Sequence, residues 1–560
     1  MNNDIDRKLL KYFANNTIYE VGKEYRYVEY TSTSKGRKHI LATVPQNDYL
    51  KNIIQMTKYG ASYDSLVHYL VNEDIDIENA QEYIDDLIKS KLLLSELEPL
   101  LICDDSHDKL FLDKISRLDD QKTSSRLKHI KEVLKQIISL FSAFEMESVP
   151  ISDYKNLKKE LDSLLETRGK HLLQVDSEVI HNKAILSEAQ VWDIKKGMKA
   201  YFQIASITRQ NDKLTAFKKK FIERYDSEPV KLVELLDPEL GLNYGKFSDN
   251  QLYNCPIIDD IPVGEKKKDY TSLKWDNKLH YYLFNKIINA TKANENVEIT
   301  NEELSGFTFD QAKIPASLIA FLQLIPTEDS KKCIINFKNW GSDSATTILG
   351  RFSTLNNEIE SLVKEIADHE ANCLPEYKKL AEINHLSNPK IGNISARKKF
   401  RDLEIPYLTK SNSNDEGLLD INDLYVKLDD NQFKIIDIRS NKQIVPILSN
   451  AHNFNKDTMP IYRFLSDIQN ESDQETCYMN LSLGDIPRIL DYIPRISYKN
   501  FVFRLATWKI YKKDFEWIWT IPEKERLENL KKFLIDKNYP LRFYIKSGDN
   551  KLFIDFIKIP

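Results

Sequence analysis

The sequence has few of the residues that usually build metal sites, disulfides or flexible linkers. Its five cysteines lie far apart and none forms a CxxC pair, so neither a zinc framework nor a disulfide framework is indicated. Only 15 glycines and 19 prolines occur in 560 residues, and no stretch has the composition of a long flexible linker. The ten histidines do not cluster at metal-ligand spacing, so we expect no metal.

The chain also lacks the local signatures of common enzyme classes. It has no GxxxxGK[ST] phosphate loop, no GxGxxG, no HExxH and no GxSxG. The N-terminal residues MNNDIDRKLL contain no apolar core of a signal peptide, and no apolar run is long enough to span a bilayer. We therefore expect a cytoplasmic protein. Its function should depend on sets of residues that are more specific than these common motifs.

Length and composition predict a globular protein of the α+β class with several subdomains of mixed sheets and helices. Hydrophobic residues make up 41% and charged residues 29% of the chain, which is long enough for two to four units with their own cores. A net charge of −5 argues against a chain that coats nucleic acid all over, although 80 lysines and arginines still allow a local basic surface.

Residues 1–104 have the element order of a winged helix-turn-helix module. Alternating Tyr and Val on both sides of SKGRK predict a hairpin, and NDYLKNIIQMTKYG, SYDSLVHYLV and DIENAQEYIDDLIKSK predict three helices. The third helix is acidic, the wrong sign for DNA phosphates, so we favour peptide binding at the hairpin edge by strand addition. A domain that only packs against its neighbour is the alternative.

The remaining chain divides into a helix-rich part, 105–380, and a strand-rich part, 381–560. Amphipathic helices are predicted in SRLKHIKEVLKQIISLFSAF, ISDYKNLKKELDSLLETR and EAQVWDIKKGMKAYFQIASI, and a short strand in HLLQVDSEVI. Strands are predicted in AEINHL, FKIIDIRS and QIVPIL, and a hairpin turns at SGDN near the end.

Eight segments carry a family resemblance when they are taken in order. They are NNTIYEVGKEYRYVEY, LIKSKLLLSELEPLL, LLQVDSEVI, FIERYDSEPVKLVELLDPELGLNYG, ILGRF, AEINHLSNPKIGNISARKKFRDLEIPY, LLDINDLYVKLDD and VPILSNAHNFNKDTMPIYRFL. Over nearly the whole chain they resemble the N-terminal, glutamylating part of class I lantibiotic dehydratases. The resemblance implies transfer of glutamate from glutamyl-tRNA to Ser and Thr hydroxyls of a ribosomal precursor peptide, before elimination to dehydroamino acids. Glutamyl-tRNA would be a co-substrate, and no other cofactor is implied.

The resemblance implies three catalytic residues. Asp176 matches an acidic position tied to glutamylation and would orient the attacking hydroxyl or the glutamyl α-amine, with a structural salt bridge as the alternative. Arg351, in GRF, resembles an arginine near the reacting ester and would hold the glutamate carboxylate or the terminal tRNA phosphate. His452 would shuttle a proton, or would be a hydrogen-bonded structural histidine.

Five further residues are implied in tRNA or glutamate binding. Arg397, Lys398 and Arg401 belong to the cationic run ARKKFR and would position a phosphate backbone, unless the run is an ordinary solvated face. Asn453 and Arg463 lie with His452 in the most family-like cluster. Residues 491–560 contain fifteen basic and nine acidic residues, so this stretch is net positive and could bind a phosphate backbone.

Leader-peptide binding is implied for the N-terminal module. A leader strand would lie along the edge between Leu41 and Val44 and insert apolar side chains against the third helix. Tyr83 and Leu87 are four residues apart and share the helix face suited to that groove, although both fit a buried core equally well. The three tryptophans of the C-terminal stretch, Trp508, Trp517 and Trp519, are predicted to be core residues.

The sequence departs from the family pattern at both ends. An arginine-rich motif that helps to handle aminoacyl-tRNA is missing before the leader-binding module, and no elimination domain follows. We therefore expect a truncated or split enzyme. The expected partners are a separate elimination domain or protein, the precursor peptide, glutamyl-tRNA, a cyclase and a second copy of the chain. A peptide aminoacyl-tRNA ligase and a non-catalytic leader-binding scaffold are alternatives. The family also implies attachment to a synthetase complex at the membrane.

Overall fold

The computed structural model describes most of the chain. The described residues are 4–33, 36–104, 106–118, 122–146, 150–164, 176, 178–179, 185–207, 212–244, 278–307, 309–310, 314–328, 333–342, 344–386, 391–411, 415–454, 459–469, 476–477, 481–547 and 550–558. The strand predicted in HLLQVDSEVI lies outside them except for 176 and 178–179, so it stays a prediction.

The α-helices of the described residues occur along the whole chain. They are α1 (Asp4–Arg7), α2 (Asp48–Met56), α3 (Tyr63–Asn72), α4 (Ile77–Lys89), α5 (His107–Ser116), α6 (Ser125–Met146), α7 (Ile151–Leu164), α8 (Glu188–Ala205), α9 (Asp212–Tyr225), α10 (Leu232–Leu236), α11 (Lys278–Ala293), α12 (Asn301–Leu304), α13 (Thr346–Leu349), α14 (Asn357–Asn372), α15 (Gly392–Ser395), α16 (Pro460–Ile468), α17 (Ile486–Ile489) and α18 (Glu523–Asp536).

The β-strands are mostly short and fall into several sheets. They are β1 (Lys11–Ala14), β2 (Tyr19–Val21), β3 (Glu24–Thr33), β4 (Gly36–Pro45), β5 (Ala61–Ser62), β6 (Leu93–Ser95), β7 (Ser206–Ile207), β8 (Val230–Lys231), β9 (Val297–Glu298), β10 (Ile319–Pro326), β11 (Cys333–Ser342), β12 (Lys378–His385), β13 (Leu403–Tyr407), β14 (Leu424–Asp429), β15 (Gln432–Asp437), β16 (Lys442–Ile447), β17 (Thr476–Cys477), β18 (Tyr492–Ile493), β19 (Ile496–Tyr498), β20 (Phe501–Arg504), β21 (Thr507–Trp508), β22 (Arg542–Ser547) and β23 (Asn550–Asp555). The mixture confirms the predicted α+β class.

The N-terminal unit contains the predicted hairpin and the three predicted helices. Strands β3 and β4 pair antiparallel from Glu24↔Pro45 to Thr33↔Gly36. Asn47 caps α2 by accepting the backbone N–H of Leu50 at 2.7 Å. The segment NDYLKNIIQMTKYG ends at Gly60, a glycine with φ +94° that follows a short 3-10 turn. The arrangement agrees with the predicted element order, while the winged-helix name itself stays a prediction.

A six-stranded sheet in the order β13-β12-β16-β15-β14-β8 has two chemically different faces. Strand residues alternate between faces, and Ala381 and Ile383 join a large apolar core that includes most of α16 and α10. Their neighbours Glu382 and Asn384 are also buried, and Asn384 donates to the buried Glu404 at 3.1 Å. The central strands therefore carry an apolar layer on one face and a polar layer on the other.

A second, five-stranded sheet has the order β10-β11-β20-β19-β9 and packs on α8 and α11. Strand β11 pairs parallel with β20, and β9 pairs parallel with β19. In the six-stranded sheet, β8 pairs antiparallel with β14. The predicted boundary between 105–380 and 381–560 therefore does not separate structural units, because strands from both sides of it share the same two sheets. Periodicity finds strands but does not show how distant strands pair.

Buried charged groups join the N-terminal unit to the rest of the protein. Arg26 donates to both carboxylate oxygens of the buried Asp237, at 2.8 and 2.9 Å, and Tyr19 donates to the same carboxylate at 2.7 Å. Nearby, the Lys410 Nζ lies 3.3 Å from the centroid of the Phe13 ring. Burial, together with Lys114, lowers the pKa of Lys410 to about 7, although Glu96 and Glu98 act in the opposite direction.

Replacing Lys410 by Met should raise the thermal stability most at low pH. The pKa of Lys410 is about 7 in the folded protein and has its ordinary value of 10.5 in the unfolded chain. Between these two pH values the unfolded chain holds a proton that the folded chain has lost, so the contribution of Lys410 to the free energy of unfolding rises with pH. Below about pH 7 the native protein must keep a buried ammonium group, and the variant avoids that cost.

Melting temperatures of wild type and Lys410→Met at about pH 6 and about pH 10 measure the effect. Lys58→Met is the matched control, since the exposed Lys58 lies over the Tyr59 ring at 5.4 Å. An equal difference between Lys410→Met and wild type at both pH values would show that Lys410 titrates normally.

Candidate functional site

The structure brings Asp176 and Arg351 together, although 175 positions separate them. Arg351 lies on a 3-10 turn, Gly350–Thr354, that follows α13, and its Nη2 donates to Asp176 Oδ1 at 2.8 Å. The Arg351 side chain is 19% exposed and that of Asp176 is 35% exposed. Next to them, Asn356 donates to Glu178 at 2.8 Å. The pair is thus half-buried and still reachable from solvent, as a site for a large substrate requires.

The turn that carries Arg351 packs against the chain that follows β16. A Cβ atom placed on Gly350 would lie 2.4 Å from the carbonyl oxygen of Ser449, far inside van der Waals contact. Glycine is therefore required here by a close backbone approach. Ser449 is itself held by Glu382, which accepts its N–H at 2.9 Å and its hydroxyl at 2.7 Å.

Glu382 is the centre of a buried ionic network that includes Arg397 and Arg401. Arg397 donates to Glu382 through Nε at 3.1 Å and to the Ile383 carbonyl at 2.9 Å. Arg401 Nε lies 3.5 Å from Glu382, and its Nη2 donates to Glu370 at 2.5 Å. The expectation of a solvent-facing cationic run is wrong for both arginines, which are 1% and 6% exposed, because the buried carboxylates draw them inside.

Lys398 and Lys399, between the two buried arginines, are half-buried. The Lys398 side chain is 23% exposed and pairs with Glu360 of α14 at 3.0 Å. Contact with a tRNA phosphate at Lys398 stays a prediction, and it would have to compete with Glu360.

His452 lies three residues after Ser449, in the same segment. Its Nδ1 is 2.7 Å from the hydroxyl of Tyr462, and the two rings stack at 5.7 Å. On its other side, Tyr462 packs on His385 with centroids 4.1 Å apart. Asn453 is exposed beside His452. This geometry is compatible with both predicted roles of His452, proton transfer and structure.

Arg463 is as buried as Arg397, but no described acidic residue forms an ion pair with it. It is 1% exposed, and neither of its terminal guanidinium nitrogens has a hydrogen-bond partner among the described residues. Ser466, one helical turn further along α16, has a buried hydroxyl that is also without a partner among those residues. Arg463 therefore cannot contact tRNA at the surface in this structure, and an unpaired buried guanidinium is costly.

The predicted leader-binding residues are split between two cores. Strand β4 is the outer strand of the sheet β2-β3-β4, so its free edge is open to strand addition within the described residues. Leu41 packs against the core of the six-stranded sheet, whereas Val44 and Tyr83 pack against the N-terminal core. Leu87 is 7% exposed and belongs to that core, so its apolar side chain is already covered.

None of the three tryptophans of the C-terminal stretch is a buried core residue, so their prediction as core residues is wrong: Trp508 and Trp517 are half-buried and Trp519 is exposed. Trp519 is 71% exposed, and the guanidinium of Arg526 lies 5.1 Å from its ring centroid. Trp508 packs on Tyr492, and Trp517 donates to the Asp514 carbonyl at 2.8 Å. The prediction for Trp519 was wrong because alternation with apolar neighbours does not distinguish the two sides of a short 3-10 turn.

The described residues contain neither a metal-ligand cluster nor a helix that could span a membrane. No group of three or more His, Cys, Asp or Glu is placed there to hold a metal ion. None of the helices in that part of the chain has the length and apolar character needed to cross a bilayer.

A family model described as "Lantibiotic dehydratase, N terminus" matches residues 2–558. The chain belongs to this family. Among curated relatives it is 25% identical over 585 residues to the nisin biosynthesis protein NisB of Lactococcus lactis subsp. lactis. It is 22% identical over 564 residues to the subtilin biosynthesis protein SpaB of Bacillus subtilis. Each alignment covers 98% of this chain and 52% of the relative, so the chain spans about half the length of these proteins.

Two solved structures share the fold. The tRNA-dependent lantibiotic dehydratase MibB from Microbispora sp. 107891 aligns with a TM-score of 0.77 at 16% identity, over 99% of this chain and 53% of MibB. The glutamylation domain of TbtB, from thiomuracin biosynthesis, aligns with a TM-score of 0.61 at 11% identity, over 99% of this chain and 64% of TbtB. At these identities the likeness concerns the fold.

Sequence reasoning missed several residues that build the site. Glu382, Ser449, Glu370 and Gly350 were not singled out, although they lie in or beside the turn that carries Arg351 and are joined by close contacts. One signal was available, because Glu382 alternates with apolar residues in the predicted strand AEINHL. A charged residue on a strand buried on both faces implies a partner or a task.

Two equally buried arginines should respond in opposite ways to replacement by methionine. Arg463→Met removes an uncompensated charge and should raise the free energy of unfolding, by about 1–4 kcal/mol. Arg397→Met leaves the Glu382 carboxylate without its main partner and should lower the free energy of unfolding by about 3–5 kcal/mol. Denaturant unfolding of both variants measures the difference. Equal destabilisation by the two changes would mean that Arg463 has a partner.

Proposed function

We propose that this protein transfers glutamate from glutamyl-tRNA to Ser and Thr hydroxyls of a ribosomal precursor peptide, preparing them for elimination to dehydroamino acids. The observation that carries the proposal is the Asp176–Arg351 pair, half-exposed on a turn that a buried ionic network supports. Family membership and the fold shared with a glutamylation domain add support. Because the chain spans about half of its curated relatives, the activity is proposed for this half alone.

The reaction is an ester exchange that needs little help from cofactors. The hydroxyl oxygen of the peptide attacks the carbonyl carbon of the glutamyl ester, and the bond from that carbon to the ribose oxygen of tRNA breaks. The hydroxyl proton ends on the ribose oxygen, so atoms and charge balance. In the later elimination step, the glutamyl group leaves the peptide as glutamate, whose carboxylate is a better leaving group than hydroxide. Energy comes from the aminoacyl ester itself.

Arg351 and Asp176 fit complementary parts of this chemistry. The guanidinium of Arg351 can hold a glutamate carboxylate, a terminal phosphate, or the oxyanion that forms during attack. The carboxylate of Asp176 can accept a hydrogen bond from the attacking hydroxyl or from the glutamyl ammonium group. The ion pair keeps the two groups within 2.8 Å of each other, so both act on the same substrate region. His452, bonded to Tyr462, would relay the proton.

The leader peptide and the tRNA are proposed to bind at two different surfaces of the protein. The open edge of β4 would take the leader peptide as an added strand, with Val44 and Tyr83 beside it. The basic excess of 491–560, with the exposed Trp519, would face the tRNA. A separate elimination protein, a cyclase and a second copy of this chain remain proposed partners. The proposed location is the cytoplasm, at the membrane periphery within a synthetase complex.

A leader-binding scaffold without catalysis is the second candidate. It is favoured by one observation, namely that Arg351 is satisfied by Asp176 as in an ordinary salt bridge. Exposed ion pairs of this kind contribute about 0–1 kcal/mol to stability, so a purely structural pair would tolerate loss of either partner.

Mass spectrometry of a precursor peptide incubated with this chain and glutamyl-tRNA tests the proposal. We expect a gain of one or more glutamyl groups, labile to mild base, with the rate lowered at least about a hundredfold in Asp176→Ala and in Arg351→Ala. Arg488→Ala is the matched control, because Arg488 forms an ion pair of similar exposure with Asp485 at 3.4 Å and should leave the rate unchanged.

Three other outcomes would contradict the proposal. A base-stable addition would identify a peptide aminoacyl-tRNA ligase. Bound leader peptide with no addition would identify a scaffold. Full activity in both Asp176→Ala and Arg351→Ala would move the site elsewhere in the protein.

A further inference from the structure

A layer of buried polar side chains lies directly beneath the turn that carries Arg351. Its charged members nearest that turn are Glu370, Glu382, Arg397 and Arg401, between 1% and 6% exposed. Arg397 pairs with Glu382, and Arg401 pairs with both Glu370 and Glu382. Ser344 donates to Glu370 at 2.7 Å, and Ser449 donates to Glu382 at 2.7 Å, so hydroxyls satisfy further lone pairs of both carboxylates.

Stability alone does not account for such a layer. Removing two ion pairs from water costs several kcal/mol per ion, and well-packed apolar residues of similar volume stabilise a core equally well or better. The opposite face of the same strands, around Ala381 and Ile383, shows that this sheet does form an apolar core. The ionic layer instead fixes the relative positions of the segments it joins, because hydrogen bonds require a defined geometry and apolar contacts do not.

The layer contacts the Arg351 segment at three successive points. Ser344 lies two residues before α13, and Thr346 begins the helix and donates to the Ser449 hydroxyl at 3.1 Å. Gly350 caps the C-terminus of the helix, where an added Cβ would lie 2.4 Å from the Ser449 carbonyl oxygen. Arg351 is the next residue. A shift of Ser449 would therefore be transmitted to the Arg351 backbone through the Thr346 hydrogen bond and the close packing at Gly350.

We infer that Glu382 is a positioning residue for Arg351, acting through Ser449 and Gly350, with Arg397 and Arg401 holding its carboxylate. The inference rests on the proposed glutamyl transfer for its catalytic consequence. Arg397 and Arg401 then influence catalysis from the interior, without touching tRNA or glutamate.

The sharpest test adds a single methyl group. Gly350→Ala would place a Cβ 2.4 Å from the Ser449 oxygen, so the turn must move, whereas an added Cβ at Gly392 meets nothing within 4 Å. We expect Gly350→Ala to lower the glutamylation rate about tenfold to a hundredfold, the usual cost of a displacement near 1 Å, while Gly392→Ala stays at the wild-type rate. Ser449→Ala, which removes one hydrogen bond to Glu382, should have a smaller effect in the same direction.

A double-mutant cycle separates positioning from general damage to the fold. If Gly350→Ala acts through Arg351, adding it to Arg351→Ala should cause almost no further loss of rate. An equal loss in both backgrounds, or a wild-type rate in Gly350→Ala, overturns the inference. Glu382→Gln, if it folds, should show the same dependence on Arg351.

A second readout does not require activity. The rate at which phenylglyoxal modifies Arg351, followed by mass spectrometry, should rise in Gly350→Ala towards the rate in Asp176→Ala, because displacement frees the guanidinium from its carboxylate. An unchanged modification rate overturns the inference. If wild type transfers no glutamate, the proposed function fails, and this chemical readout alone decides whether the network positions Arg351.

Discussion

Glu382 is buried in the middle of the largest sheet, and the arrangement around it follows from the need to compensate its charge. A carboxylate in this environment needs a cation and several donors, and leaving it unpaired would cost about 3–5 kcal/mol. Arg397 supplies the cation, and Ser449 supplies both a backbone N–H and a hydroxyl. These requirements bring together three chain segments that are distant in sequence, those around 382, 397 and 449.

The division of the sheet into an apolar and a polar face gives the two faces different tasks. On the apolar face, α16 and α10 pack to form a conventional apolar core. The polar face holds segments whose exact position matters, above all the turn with Gly350 and Arg351. Residues on rigid elements hold their geometry better than residues on loops. A turn that packs against strands and buried ion pairs can therefore expose the Arg351 side chain to a substrate while its backbone stays in a fixed position.

Family membership and geometry support the same function from independent directions. The family model covers nearly the whole chain, and the fold is shared with a lantibiotic dehydratase and with a glutamylation domain. The half-exposed Asp176–Arg351 pair is a physical observation that needs no relative to be recognised as a candidate site. Chemistry that transfers an already activated ester is compatible with a chain that has none of the usual nucleotide-binding motifs.

The sequence by itself determined local structure and family. The hairpin β3–β4, helices α6, α7 and α8 and the strand β12 all follow from periodicity, which acts over a few residues. Tertiary structure decided which distant residues meet. It paired Asp176 with Arg351, drew Arg397 and Arg401 inside, joined strands across the predicted boundary at 380, and left Arg463 without a counter-charge among the described residues. Whether an arginine lies inside or outside depends on carboxylates from other segments, and no local pattern contains that information.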